Sequence, residues 1–447
     1  MVLNYPYKKA FYKRGRNMKR KLLLALLSIT LIFSTVAMSS CYVVDLDDIR
    51  GDASGEDYMT KQEVEKLIAG IEAGELTVNS GDNYNVSIES DSGANLLAAS
   101  RGLLSAVSIT CSFEVVHNSY FGNNHTTSET SAGAGVIYSL DKDKGDAYII
   151  TNYHVVYCKG ASTQNDISDD IDVFLYGMEY AEYAIPASYV GGSPNYDIAV
   201  LRIEGSEVLR GSNAMAASFA DSNKTSILET AIAIGNPEAK GISATVGSVN
   251  VDSETITMNS MDGSGTIALR VLRIDAAVNG GNSGGGLFND KGEIIGIVNA
   301  KMSDSTVDNI GYAIPSNIAK YVADNIIYYD NQNLSNDTVK RILIGINVGI
   351  KRAYTVYDTE TGKVHKMEDV RISSVSAGGA AEGKLSVDDV IKAVTVDGVK
   401  YDIVRTFNVI DVMLTVRQSS SVVFHIERGG AAMDVEIDVG GIQLKDY

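Results

Sequence analysis

The 447-residue chain is poor in the side chains that build metal and redox sites. It has three cysteines and five scattered histidines, with no CxxC and no HExxH. A disulfide-built scaffold and a zinc cluster of ordinary ligand spacing are excluded, and no metal or cofactor is expected. Acidic residues are missing from one stretch, since none occurs before Asp45. Lys8, Lys9, Lys13, Arg14, Arg16, Lys19, Arg20 and Lys21 stand there ahead of an uncharged apolar run, 22–38. The whole chain nevertheless carries a formal charge of -18, which speaks against a nucleic-acid partner.

A basic start followed by an apolar run marks an export signal or a membrane anchor. Two readings stay open. "VAMSSC" sets Ser39 and Ser40 before Cys41, which resembles a bacterial lipoprotein signal whose cysteine is lipidated. Alternatively 22–44 is an uncleaved anchor, long enough to span at roughly 20 residues per crossing. Either one puts the bulk of the chain outside the cytoplasm, tethered to a membrane. In that compartment Cys111 and Cys158 could pair, and two buried free thiols are the equal alternative.

Composition and periodicity divide the rest. Residues 1–41 are the signal or anchor. Residues 42–94 read as a polar stalk with one amphipathic helix candidate at 60–74, and 75–93 read as linker. From 95 to 333 short apolar runs broken by turns come in two series. "LLSAVSITCSFEVV", "AGVIYSL", "AYIITNYHVV", "IDVFLYG" and "DIAVLRI" form the first, and "TAIAIG", "TVGSVNV", "TIALRVLRI", "GEIIGIVNA" and "NIGYAIP" the second. Two such series predict a mainly β protein of paired barrels. Helical spacing of Ile318, Val322 and Ile326 closes the unit at 315–330, with Ser316 or Asn317 as cap. Residues 339–443 mix strands with helical patches "GGAAEGKL" and "TFNVIDVMLTVRQ", a separate small α+β domain.

The chemistry concentrates in "NGGNSGGGLFN", 279–289. Glycine is costly to order, so this loop is poor scaffolding unless its backbone must do something, such as turning N–H groups toward a developing negative charge. Ser283 at its centre needs a base to become a nucleophile. Four of the histidines lie in turn-rich or charged loops or in the C-terminal strands, and only His154 follows a strongly apolar strand. Asp197, at the edge of another, is the carboxylate that could orient it. His154 and Asp197 fall in the first series and Ser283 in the second, as a site in the cleft between two barrels requires.

"TNYHVV", "DIAVLRI", "AIGNP", "DAAVNGGNSGG" and "GYAIPSN", in this order, resemble the trypsin-like serine proteases of the HtrA (Deg) family. The resemblance implies a chymotrypsin-like double β-barrel followed by a PDZ domain. It implies His154 as general base, Asp197 as its orienter, Ser283 as nucleophile, and the amides of Gly281 and Ser283 as oxyanion hole. Two positions depart from the pattern. Gly286 stands where proline is usual, predicting a softer loop, and "GAG" at 133–135 replaces "GSG". The specificity pocket is expected from Ala276, Ala277, Val298 and Asn299, with Lys301 solvated. Uncharged walls favour cleavage after Val, Ala or Ile. At 339–443, Ile344, Gly345 and Ile346 would present amides to a peptide C-terminus, the peptide adding as a strand beside the 407–416 helix. The implied protein is a membrane-tethered, extracytoplasmic endopeptidase, homotrimeric, degrading unfolded or damaged exported proteins. The alternatives are a non-cutting chaperone or scaffold that binds exposed C-termini, and a processing protease with one regulatory substrate.

Overall fold

Alternation of apolar and polar residues shapes the first β unit. The computed structural model describes residues 91–117, 125–237, 240–299, 310–334, 338–359 and 362–447. The anchor candidate, Cys41, the helix candidate at 60–74 and Lys301 lie outside the described residues. Six strands, β1 (Ala106–His117), β2 (His125–Asp141), β3 (Asp146–Thr151), β4 (Asp170–Leu175), β5 (Ile185–Ser193) and β6 (Ile198–Ile203), close into a barrel of order β1-β2-β3-β6-β5-β4. Their inward residues, among them Ile109, Ile137, Ile149, Val173 and Leu201, form a core closed to solvent. A one-turn helix, α2 (Tyr153–Val156), follows β3 after Asn152.

Before β1 the structure differs from the sequence expectation. A strand is expected from Leu103 and linker up to Gly93, yet a helix, α1 (Asp91–Ser105), occupies this stretch. Ala98, Gly102 and Ser105 are its buried positions, spaced by four and three residues, which is the helical period. The strand alternation begins only at Ala106.

The second unit comprises β7 (Ser218–Phe219), β8 (Thr230–Gly235), β9 (Ser243–Asn259), β10 (Thr266–Ile274), β11 (Gly286–Phe288), β12 (Glu293–Val298) and β13 (Gly311–Pro315). It is ordered β11-β8-β9-β10-β13-β12-β7, and β11 also pairs β12, so six strands close into a ring. Between the β units lies the short helix α3 (Glu207–Gly211). The helix α4 (Ser316–Asn331) follows β13 as expected. Its Ile318, Ala319, Val322 and Ile326 join Val200 of the first barrel and Ile234, Phe288 and Ile294 of the second in one shared core. At roughly 1.5–3 kcal/mol per buried aliphatic side chain, this seam holds the barrels together. The two expected caps fasten the helix to a neighbouring loop instead. Ser316 Oγ donates to the Ala220 carbonyl at 2.7 Å, and Asn317 Oδ1 accepts from the Ser222 amide at 3.2 Å.

The C-terminal module begins with the short β14 (Lys340–Arg341). It continues through β15 (Ile346–Tyr357), β16 (Val364–Val375), β17 (Val390–Val396), β18 (Val399–Asp402), the helix α5 (Thr406–Val412), β19 (Val422–Arg428), β20 (Ala431–Ile437) and β21 (Lys445–Asp446). The sheet order is β15-β16-β17-β19-β20, with β18 on β17, and β14 pairs β21 separately. The helix expected at "GGAAEGKL" is a series of turns. Gly378 and Gly383 both take positive φ, 75° each, and break the helical path. The module has its own core, and 94–447 form one compact unit.

Charged and polar groups make that attachment. Arg270 of β10 and Asp411 of α5 form a buried ion pair. The Arg270 guanidinium also stacks on Phe407 at 3.9 Å, and Arg405, paired with Asp252 at 3.1 Å, stacks on the same ring at 4.8 Å. Burial pushes the Asp411 carboxyl up and the Arg270 guanidinium down, while each holds the other toward its charged form. Asn325 of α4, fully buried, donates to the carbonyls of Lys340 and Leu414 at 2.9 and 3.1 Å.

Cys111 and Cys158 are free thiols here. Burial, helped by Asp170 and Asp172, pushes Cys111 up to about 12, and burial with Glu129 raises Cys158 as well. A raised thiol pKa leaves little reactive thiolate at neutral pH, on the order of 1 in 10,000 at pH 8 for Cys111. Iodoacetamide at pH 8 should therefore modify the part-exposed Cys158 slowly in the native protein, and Cys111 only after unfolding, as peptide mass mapping would show. Asp411→Ala leaves Arg270 buried without its partner and should cost about 3–5 kcal/mol in chemical denaturation. The Arg270→Met/Asp411→Leu pair should recover most of that loss.

Candidate active site

Strand pairing brings the candidate residues together. Thr151, the last residue of β3, is in register with Ala199 of β6, so the segment leaving β3 and the segment entering β6 sit at the same end of the barrel. His154 is in the first and Asp197 in the second. Asp197 is closed to solvent and takes a left-handed backbone, φ 50°, a conformation that aspartate tolerates better than most residues. Its Oδ1 accepts from the His154 backbone N–H at 3.0 Å, and its Oδ2 lies 2.7 Å from His154 Nδ1. An ionised carboxylate only accepts, so the ring proton resides on Nδ1 and Nε2 keeps its lone pair. The Asn152 side-chain amide donates to the Asp197 carbonyl at 2.8 Å, fixing the turn from a second direction.

A third donor to this carboxylate comes from the second barrel. Asn299, immediately after β12, is closed to solvent, and its Nδ2 donates to Asp197 Oδ2 at 2.5 Å. The sequence reading places Asn299 in a specificity pocket, whereas the structure turns its amide onto Asp197. No motif signalled this, because the partner is 102 residues away.

Ser283 packs against the same end of the first barrel. Its carbonyl accepts from the Ala134 amide at 2.8 Å. A Cβ on Gly284, whose φ is 84°, would stand 2.2 Å from both the Ala134 carbonyl oxygen and Thr151 Oγ1. One on Gly133 would meet the Val155 methyls at 2.7 and 2.8 Å and the Ser283 carbonyl oxygen at 3.1 Å. The absence of side chains at these two glycines lets the serine loop close onto the β3–α2 junction that carries His154. The turn itself is held by Asn282 N–H to the Asn279 carbonyl and Gly285 N–H to the Asn282 carbonyl, each 3.0 Å. Gly281, with φ 94°, lies within it, and its carbonyl accepts from Asn236 N–H at 3.2 Å.

Gly286, where the sequence predicts a softer loop, lies in a paired strand. Gly286 is the first residue of β11 and pairs with both Ile234 and Ile297. The other pocket candidates diverge. Ala276 and Val298 are buried in the core of the second barrel with Leu272 and Leu287. Ala277 is exposed, and its carbonyl accepts from Thr245 Oγ1 at 2.9 Å.

In the C-terminal module Ile344 is buried, Gly345 turns with φ 83°, and Ile346 opens β15, an edge strand of its sheet. A second histidine–carboxylate pair occurs on this sheet. His425 Nδ1 lies 2.6 Å from Asp434 Oδ1, and its Nε2 lies 2.8 Å from Thr395 Oγ1. Asp434 is 70% exposed, so this pair lacks the dry surroundings of Asp197.

Asn299→Ala removes a donor from a buried carboxylate and should lower stability by about 1–3 kcal/mol in urea unfolding. Asn299→Asp, which sets a second carboxylate against Asp197, should cost more than Asn299→Ala.

Residues 133–297 match the trypsin-like peptidase domain family. Over 237 residues the chain is 37% identical to the serine protease Do-like HtrA of Bacillus subtilis (strain 168), covering 52% of this chain and 46% of that protein. Over 294 residues it is 33% identical to the serine protease Do-like HtrA of Lactococcus lactis subsp. cremoris (strain MG1363), covering 62% and 65%. These matches span roughly half to two thirds of the relatives' length. A solved structure, HtrA-type protease AlgW with decapeptide, is 24% identical with a TM-score of 0.46 over 79% of this chain and 99% of that one. The chain thus carries a trypsin-like peptidase domain and is a homologue of the HtrA serine proteases.

Proposed function

We propose that the chain is a serine endopeptidase in which Ser283 is the nucleophile, His154 the general base and Asp197 its orienter. The observation that carries this reading is the buried Asp197 carboxylate, which is bound to both the backbone and the ring of His154 at the junction where the Ser283 loop docks. Ser283 Oγ attacks the scissile carbonyl carbon while His154 Nε2 takes its proton. The Gly281 and Ser283 amides receive the oxyanion, and the proton passes to the leaving amine as the acyl-enzyme forms. Water then repeats the sequence and releases the acid. Asp197 does not change protonation. It holds the tautomer and stabilises the imidazolium that forms.

The substrates in this reading are unfolded or damaged exported polypeptides, cut outside the cytoplasm by an enzyme tethered through its N-terminal segment. The basic and then apolar start supports that placement. The C-terminal module acts as a PDZ domain. It would bind a peptide C-terminus at Ile344, Gly345 and Ile346 along the edge of β15, and the active form is a homo-oligomer.

The test is fragment formation from an unfolded protein by wild type beside Ser283→Ala, with and without a peptide ending in an apolar residue. Wild type should cut and Ser283→Ala should fall at least 1,000-fold while keeping its fold, since a triad acts as a unit. Undiminished turnover in the variant would remove Ser283 from the mechanism.

A further inference from the structure

The turn between β5 and β6 carries Asp197, and the segment that ends β21 braces it from the far side. Ser193, the last residue of β5, is closed to solvent. Its Oγ accepts from the Tyr196 amide at 3.4 Å and donates to the main-chain oxygen of Tyr447 at 3.0 Å. The Tyr447 ring lies 5.3 Å from the ring of Tyr196, the residue next to Asp197. The Arg341 guanidinium stands 4.3 Å from the Tyr447 ring centre. Tyr447 N–H donates to the Val339 carbonyl at 2.9 Å, and Lys340 pairs with Asp446 across the β14–β21 ribbon. Val339 is itself part of the core shared by the two barrels.

These contacts bear on the one strained residue of the proposed site. Asp197 holds φ 50°, and its carboxylate direction depends on the turn that precedes it. Left-handed backbone at a residue other than glycine persists where its surroundings over-determine it. The bonds at Asn152, His154 and Asn299 hold Asp197 from the site side, while Ser193, Tyr196 and Tyr447 hold its approach from behind.

We propose that Tyr447 is a positioning residue for the proteolytic site. By clamping Ser193 and Tyr196, it fixes the backbone that presents Asp197 to His154, so the C-terminal ribbon supplies part of the peptidase scaffold. This rests on the peptidase reading and adds a route from the C-terminal module to the charge-orienting residue, separate from the serine loop.

The test uses the full chain and a fluorophosphonate, which reacts covalently with an activated serine. The limiting rate of labelling per reactive site and the half-saturating probe concentration are measured separately, beside the thermal midpoint. Tyr447→Ala should slow the limiting rate about ten-fold, with half-saturation little changed, because a misplaced orienting group costs rate and not probe binding. Tyr447→Phe keeps the ring that Tyr447→Ala removes and should restore the wild-type rate. Ser193→Ala removes the other contact, the hydroxyl bond to the Tyr447 main-chain oxygen, and should slow labelling similarly, and the double variant should lose less than the sum, since both contacts hold the same turn. A segment that only stabilises the fold would lower the number of reactive molecules and leave the rate of each unchanged. That outcome, or fully additive losses, overturns the proposal while the peptidase reading stands. A wild type that does not label at Ser283 overturns both.

Discussion

A carboxylate removed from water is the constraint around which the rest is arranged. Asp197 has no solvent contact, and an unpartnered buried anion costs several kcal/mol. The chain meets this with donors from three places: the His154 backbone, the His154 ring and the Asn299 amide. Those donors belong to different barrels, so neither barrel alone completes the site. The shared core beneath α4 therefore matters to chemistry as well as to stability. It fixes the distance between the end of β12 and the turn before β6 to within a hydrogen bond.

The same requirement explains why glycine crowds the serine loop. To bring Ser283 against the β3–α2 junction, the backbone must approach the Ala134 carbonyl and Thr151 closely, which leaves no room for a side chain at Gly284. Its positive φ selects glycine for a second reason. Gly133 clears the opposing surface. Glycine here serves close packing between two barrels more than softness, and the paired position of Gly286 at the start of β11 fits that view.

Much of this was legible in the sequence, and the reasons are specific. The barrels were legible because half-buried strands alternate, and α4 because its apolar residues recur at helical spacing. His154 stands out by following an apolar strand, whereas His425 lies in the C-terminal strands, where the structure gives it an exposed partner. Local patterns failed where tertiary contacts decide. At α1 the apolar residues Leu103 and Leu104 suit either a strand or a helix, and burial of Ala98, Gly102 and Ser105 selects the helix. At 378–385 glycine φ values override a composition that counts as helical. Asn299 and Tyr447 were illegible for a simpler reason. Their roles depend on partners 102 and 254 residues distant.

Among the contacts that join the C-terminal module to the barrels, two differ in physical character. The Arg270–Asp411 pair, stacked on Phe407, is dry and short-ranged, and it holds α5 against β10. Such a contact is either made or broken, because separating the charges in a low-dielectric interior is steeply unfavourable. The Tyr447 contact is half-exposed and rests on one hydrogen bond and ring stacking, so it can loosen at small cost. The ribbon side is tied further by buried Asn325 of α4, which holds Lys340, and by Val339, which is part of the shared core. Strain in the β14–β21 ribbon would therefore reach the shared core and the turn before Asp197 together.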